Sequence, residues 1–197
     1  MGEVARTVCW KSIWHERVAD AGFEHCRFGA TSADAVVLAF DDGMRPYRLA
    51  YRLDWSRDGR LRSATLSVTD DAGSRGLDLV ADGAGHWRDG TNGALPALDG
   101  CLDIDIWPTP FTNAFPIRRT PFAIGERRMV RVAWVEAPAL TVRPVPQAYT
   151  RLRDRLYRFE SLDGSGFVAD LAVDGDGLVI DYPGLFARVP PPEEGPA

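Results

Sequence analysis

Apolar residues recur at every second position over much of this chain, and the runs are cut at short intervals by Gly, Pro or Asp-Gly. A period of two is the signature of strands with one buried face, and helical spacing is scarce. Along residues 47–53, Tyr47, Leu49, Tyr51 and Leu53 fall on one side and Arg48 and Arg52 on the other. Asp58-Gly59 then reads as a type I′ turn, and residues 61–68 alternate again, which predicts a hairpin. The same grammar returns with Phe167, Ala169, Leu171 and Val173, a turn at Asp176-Gly177, and a return run over 178–182. Superposing the two turns pairs Leu49 with Phe167 and Leu53 with Leu171, the pattern a diverged duplication would leave.

Further strands are predicted over 23–28, 35–40, 77–81, 101–106, 129–135, 140–145 and 157–161, and a short helix fits best over 146–155. A dozen short strands with frequent turn signals make an all-β, mostly antiparallel roll, barrel or sandwich. Leu102, Ile104, Ile106, Leu171, Val173 and Val179 are expected in its core. Residues 1–189 are expected to form one domain, and 190–197, rich in proline, an extended mobile tail.

The chain's 197 residues are 45% hydrophobic and 26% charged, enough for a packed core. A net charge of −5 opposes nonspecific attraction to nucleic acid or anionic membrane surfaces, so no nucleic-acid partner is expected. The first eleven residues lack the pattern of a secretory signal, and no window is long and apolar enough for a span. The expected location is cytoplasmic, without integral membrane association. Cys9, Cys26 and Cys101 fit neither a disulfide framework nor a zinc spacing, and His15, His25 and His86 have no ligand partners at metal spacing. No metal or organic cofactor is expected.

The chemistry concentrates in residues 100–119. Asp103 and Asp105 lie two apart on a predicted strand and so share a face, about 6.5 Å apart, with Leu102, Ile104 and Ile106 opposite. That spacing suits an acid/base pair, and equally a solvated strand face or partners for nearby arginines. Pro108, Pro110 and Pro116 exclude a regular central strand and impose a shaped loop. There Thr109, Thr112 and Asn113 offer groups that meet sugar hydroxyls or cap the loop's own backbone, while Phe111 and Phe115 could face an apolar ring. In an extended segment Arg118 and Arg119 point to opposite sides, so one of them reaches the aspartates or an anionic head group. Trp10, Trp14, Trp55, Trp87 and Trp134 read as core or rim, with Trp107 beside the loop as the exception; Tyr182 is a further neighbour.

The segments Leu98-Asp-Gly-Cys-Leu-Asp-Ile-Asp-Ile, Thr109-Pro-Phe-Thr-Asn and Pro116-Ile-Arg-Arg closely resemble the Putative glycolipid-binding family, as do Val132-Ala-Trp-Val-Glu, Gln147-Ala-Tyr-Thr, Tyr157-Arg-Phe-Glu-Ser and Asp181-Tyr-Pro-Gly-Leu-Phe. Trp107-Pro108 and Thr120 depart modestly from the family pattern. The resemblance implies a spiral β-roll, an open barrel with little helix, and a glycolipid or other amphiphilic ligand. On that basis the leading reading is a noncatalytic carrier whose ligand's apolar part lies inside the roll, with its polar part near Asp103, Asp105, Trp107, Thr109, Thr112, Asn113, Arg118, Arg119 and Tyr182. Two other classes stay open: an enzyme on a small carbohydrate-like substrate using Asp103 and Asp105, and a ligand-free interaction module whose sheet is filled by its own side chains.

Overall fold

The computed structural model describes residues 5–13, 22–119 and 121–190. Trp14, His15, Thr120 and residues 191–197 of the expected tail lie outside the described residues. The architecture is one open, fourteen-stranded, mostly antiparallel sheet with little helix. A first meander comprises β1 (Arg6–Ser12), β2 (Gly22–Phe28), β3 (Ser32–Phe40), β4 (Pro46–Trp55), β5 (Leu61–Asp70), β6 (Gly73–Ala81) and β7 (Trp87–Asp89). A second comprises β8 (Asp103–Trp107), β9 (Arg127–Glu136), β10 (Thr141–Arg153), β11 (Leu156–Ser161), β12 (Val168–Val173), β13 (Val179–Tyr182) and β14 (Phe186–Arg188). The two join where β1 pairs β14 antiparallel, with Trp10 opposite Arg188. β7 and β8 are the two edges, and β8 lies parallel to β9.

The expected hairpins at Asp58-Gly59 and Asp176-Gly177 join β4 to β5 and β12 to β13. Neither is type I′, which would put both central residues at positive φ. Only the glycines are left-handed, Gly59 at φ +78° and Gly177 at +73°, each donating back three residues, to Ser56 O and Asp174 O. The 41–45 and 89–93 turns use the same bonding pattern with Met44 and Asn92 in the left-handed position. A three-residue hairpin loop of this kind carries the strand twist through one left-handed residue rather than two. Gly177 is needed for a second reason, because a Cβ there would lie 2.9 Å from Arg118 Cγ.

The helix expected over 146–155 is instead the second half of β10, paired on both sides with β9 and β11. Pro144 and Pro146 lie within this doubly paired strand. Being two apart, they direct their missing N–H groups to one edge, the one facing β11, and β11 ends opposite Gln147, leaving that edge largely unclaimed. The short helix α1 (Ala114–Arg119) forms where a loop was expected, continuing a 3-10 turn at Phe111–Asn113. Pro116 is tolerated there because first-turn N–H groups have no intrahelical acceptor.

β8, the turn and α1 occupy the interior of the curled sheet. Ile104, Ile106, Phe111 and Phe115 join the inward residues of the first meander in one apolar cluster. Ile117 joins Tyr149, Phe159, Leu171, Tyr182 and Phe186 of the second meander in another. Phe111 and Phe115 are thus core residues, not ligand-facing ones: Phe111 sits 6.1 Å from Phe28, 6.3 Å from Trp55 and 6.2 Å from Phe115 between ring centroids. The small residues Ala33, Ala35, Val37 and Ala39 alternate on the inner face of β3 and are buried in the first of these clusters. Of the expected core, Leu102 is 37% exposed, because it precedes β8 and lies outside the point where the chain enters the roll. Ile104, Ile106, Leu171, Val173 and Val179 are buried.

Candidate functional site

Asp103 and Asp105 share a face of β8 as their spacing requires, but both faces of this strand are buried. Asp103 is bound by the Arg119 guanidinium. Burial raises its pKa and the arginine counters only part of that shift. Asp105 has no cationic partner: Oδ1 accepts from Thr112 Oγ1 at 2.9 Å and Oδ2 from Gln147 Nε2 at 2.6 Å. Burial again raises its pKa, and these two hydrogen bonds lower it only in part.

The loop's polar groups reach both inward to the backbone and outward to other strands. Thr109 Oγ1 accepts from Phe111 N at 3.0 Å, capping the 3-10 turn, and donates to Glu24 Oε1 at 2.9 Å. Glu24, buried on β2 and also bonded by the Tyr51 hydroxyl, has its pKa pushed up to about 7 by burial. Asn113 donates to Pro110 O at 3.2 Å and accepts from the Tyr149 hydroxyl at 2.9 Å. Because the segment is helical, Arg118 and Arg119 are not opposed as in an extended chain. Arg119 turns to Asp103, whereas Arg118 is exposed and lays its stem against Gly177.

A cavity of about 250 Å³ opens between the end of β8 and the concave face of β10–β14. Asp105, Trp107, Thr109, Asn113 and Tyr182 line it; Asp103, Thr112, Arg118 and Arg119 do not. One wall is a chain of rings, with centroids 6.0 Å apart for Trp107–Phe186, 5.9 Å for Phe186–Tyr182 and 6.1 Å for Tyr182–Phe159. Phe167, Asp163 and Ser165 stand on the rim, in the 162–167 connection between β11 and β12. The Ser165 hydroxyl and N–H, with Ser161, hold the Asp163 carboxyl down at about 2. Among the described residues, two polar atoms of the lining lack a hydrogen-bond partner, the acceptor Gln147 Oε1 and the donor Trp134 Nε1.

The lining residues Gln147, Phe159 and Phe186 were not anticipated. Gln147 alternates with Val145 and Tyr149, so a strand reading of 141–153 would have turned this polar group inward. Phe159 and Phe186 carry no signal separating a cavity wall from a core.

The family described as Putative glycolipid-binding matches the chain over residues 7–188. Among solved structures, a DUF1089 family protein from Pseudomonas aeruginosa, determined by crystallography at 1.80 Å resolution, is similar. It shares 52% sequence identity and a TM-score of 0.84, over 86% of this chain and 92% of that one. No curated protein matches. Among the described residues, no helix is long and apolar enough to cross a membrane.

Proposed function

The chain belongs to the Putative glycolipid-binding family, and from that premise we propose that it is a noncatalytic binding protein for a glycolipid or similar amphiphile, one ring-sized portion of which sits in the cavity beside β8. The observation that carries this reading is the pairing, in one cavity, of a continuous aromatic wall with an unused donor and an unused acceptor. Rings cover an apolar face, and a small rotation of Trp134 and Gln147, whose unpartnered atoms are now shut from solvent, would let a ligand hydroxyl accept from Nε1 and donate to Oε1. At ~30 Å³ per water-sized unit, about 250 Å³ holds one sugar ring or a short run of chain, not a whole lipid. The remainder of the ligand would lie outside, past Phe167. Asp103 faces Arg119 rather than the cavity, which weighs against an acid/base pair of Asp103 with Asp105.

Titration with hexyl β-D-glucoside is expected to shift the indole N–H resonances of Trp107 and Trp134 saturably. Ser165→Trp, on the exposed rim, is expected to abolish the shifts without lowering the melting temperature. Wild-type resonances that do not move, or that move equally in the variant, would remove the cavity from the account.

A further inference from the structure

We propose that the portion of the ligand seated in this cavity carries a positive charge, an amine or quaternary ammonium near the head of an amphiphile. The inference rests on the binding role just described and adds its charge. All but one of the chain's 23 basic residues are arginines spread along the sequence, yet among the described residues no Arg, Lys or His lines the cavity, while two carboxylates do. Of the two guanidiniums that follow the loop, Arg119 is taken by Asp103 and Arg118 lies exposed beside Gly177, both outside the lining. An anionic head group would meet no cation here and would face Asp105 and Asp163.

The ring chain of Trp107, Phe186, Tyr182 and Phe159 supplies the complementary half. Aromatic faces carry negative electrostatic potential, and rings lining one cavity can attract an organic cation by cation–π interaction. Asp105 strengthens the case because it is a buried carboxylate whose hydrogen-bond partners among the described residues, Thr112, Gln147 and the Ile106 backbone, are all neutral. A buried carboxylate without a counter-ion is costly, and a cationic ligand would be its counter-ion. Gln147, 1% exposed, leaves Oε1 without a partner among the described residues, a partial negative charge of the sign that favours a cation.

The test is isothermal titration of the full chain with three probes sharing a six-carbon chain: hexyltrimethylammonium, hexyl β-D-glucoside and hexyl sulfate. The ammonium is expected to bind at least tenfold tighter than the glucoside, with no binding of the sulfate, and Asp163→Asn and Asp105→Asn are each expected to narrow the ammonium-to-glucoside ratio at least threefold. A glucoside as tight as the ammonium, measurable binding of the sulfate, or a ratio unchanged in both variants would overturn the charge assignment and leave the binding role standing. If none of the three binds, both fail together.

Discussion

Phe111→Ala is expected to lower the unfolding free energy by about 3–5 kcal/mol, the range for truncating a buried aromatic side chain. For a chain of this size that corresponds to a fall in melting temperature of roughly 6–20 °C. The size of the effect follows from position. Phe111 heads the turn that fills the curled sheet, and it meets Phe28, Tyr51, Trp55 and Phe115, so the void left by its loss would be walled by rings that cannot collapse together. Its partners come from strands far apart in sequence, so the interior turn and the first meander are stabilised by the same side chain. Urea denaturation of wild type and variant checks the value. A loss below about 1 kcal/mol would mean that the turn does not plug the interior.

The second large effect is a dependence on pH opposite to that of carboxylates whose pKa the fold lowers. Folded protein keeps a proton on Glu24 up to about pH 7, whereas an ordinary glutamate releases it near 4.5. Between those values the folded state binds more protons than the unfolded one. The associated stability is therefore complete below the unfolded value and is lost as pH rises through about 7. At about 1.4 kcal/mol per pKa unit the loss from Glu24 is roughly 3 kcal/mol. Asp103 and Asp105, also raised by burial, act in the same direction. Carboxylates held low, such as Asp163 at about 2, change protonation well below this window. Glu24→Gln keeps an acceptor for Tyr51 and Thr109 and removes the titration. Stability measured by urea at pH 5 and pH 8 is expected to fall in the wild type, with a decline smaller by roughly 2.5 kcal/mol in the variant. Parallel profiles would show that Glu24 does not carry the effect.

Most of the sheet was legible because its strands alternate cleanly, as β2, β3 and β4 do. β1 was not, since Arg6, Thr7, Lys11 and Ser12 blur its two faces, and β7 and β14 are only three residues long. The second half of β10 looked helical because Gln147-Ala148-Tyr149 has acceptable helix propensity. Pairing on both sides with β9 and β11 decided otherwise, a tertiary constraint that no local window contains. The central segment stood out by its prolines and polar groups, and four of its eight candidate residues line one cavity, together with Tyr182. Asp103 and Asp105 had looked equivalent, since alternation assigns a face but not what lies across it. Across from Asp103 is Arg119, and across from Asp105 is Gln147. The rings of β11 and β14 were invisible as a wall, because an inward phenylalanine reads the same whether its neighbour is another side chain or open space.

The most direct measurement is native mass spectrometry with organic extraction on protein purified from the cells that make it, wild type beside Ser165→Trp. If the cavity between β8 and the rings of β11–β14 holds an amphiphile, the wild type carries an extractable small amphiphile that the variant lacks, at equal thermal stability. A wild type that carries nothing, or the same species in equal amount in both proteins, would contradict it.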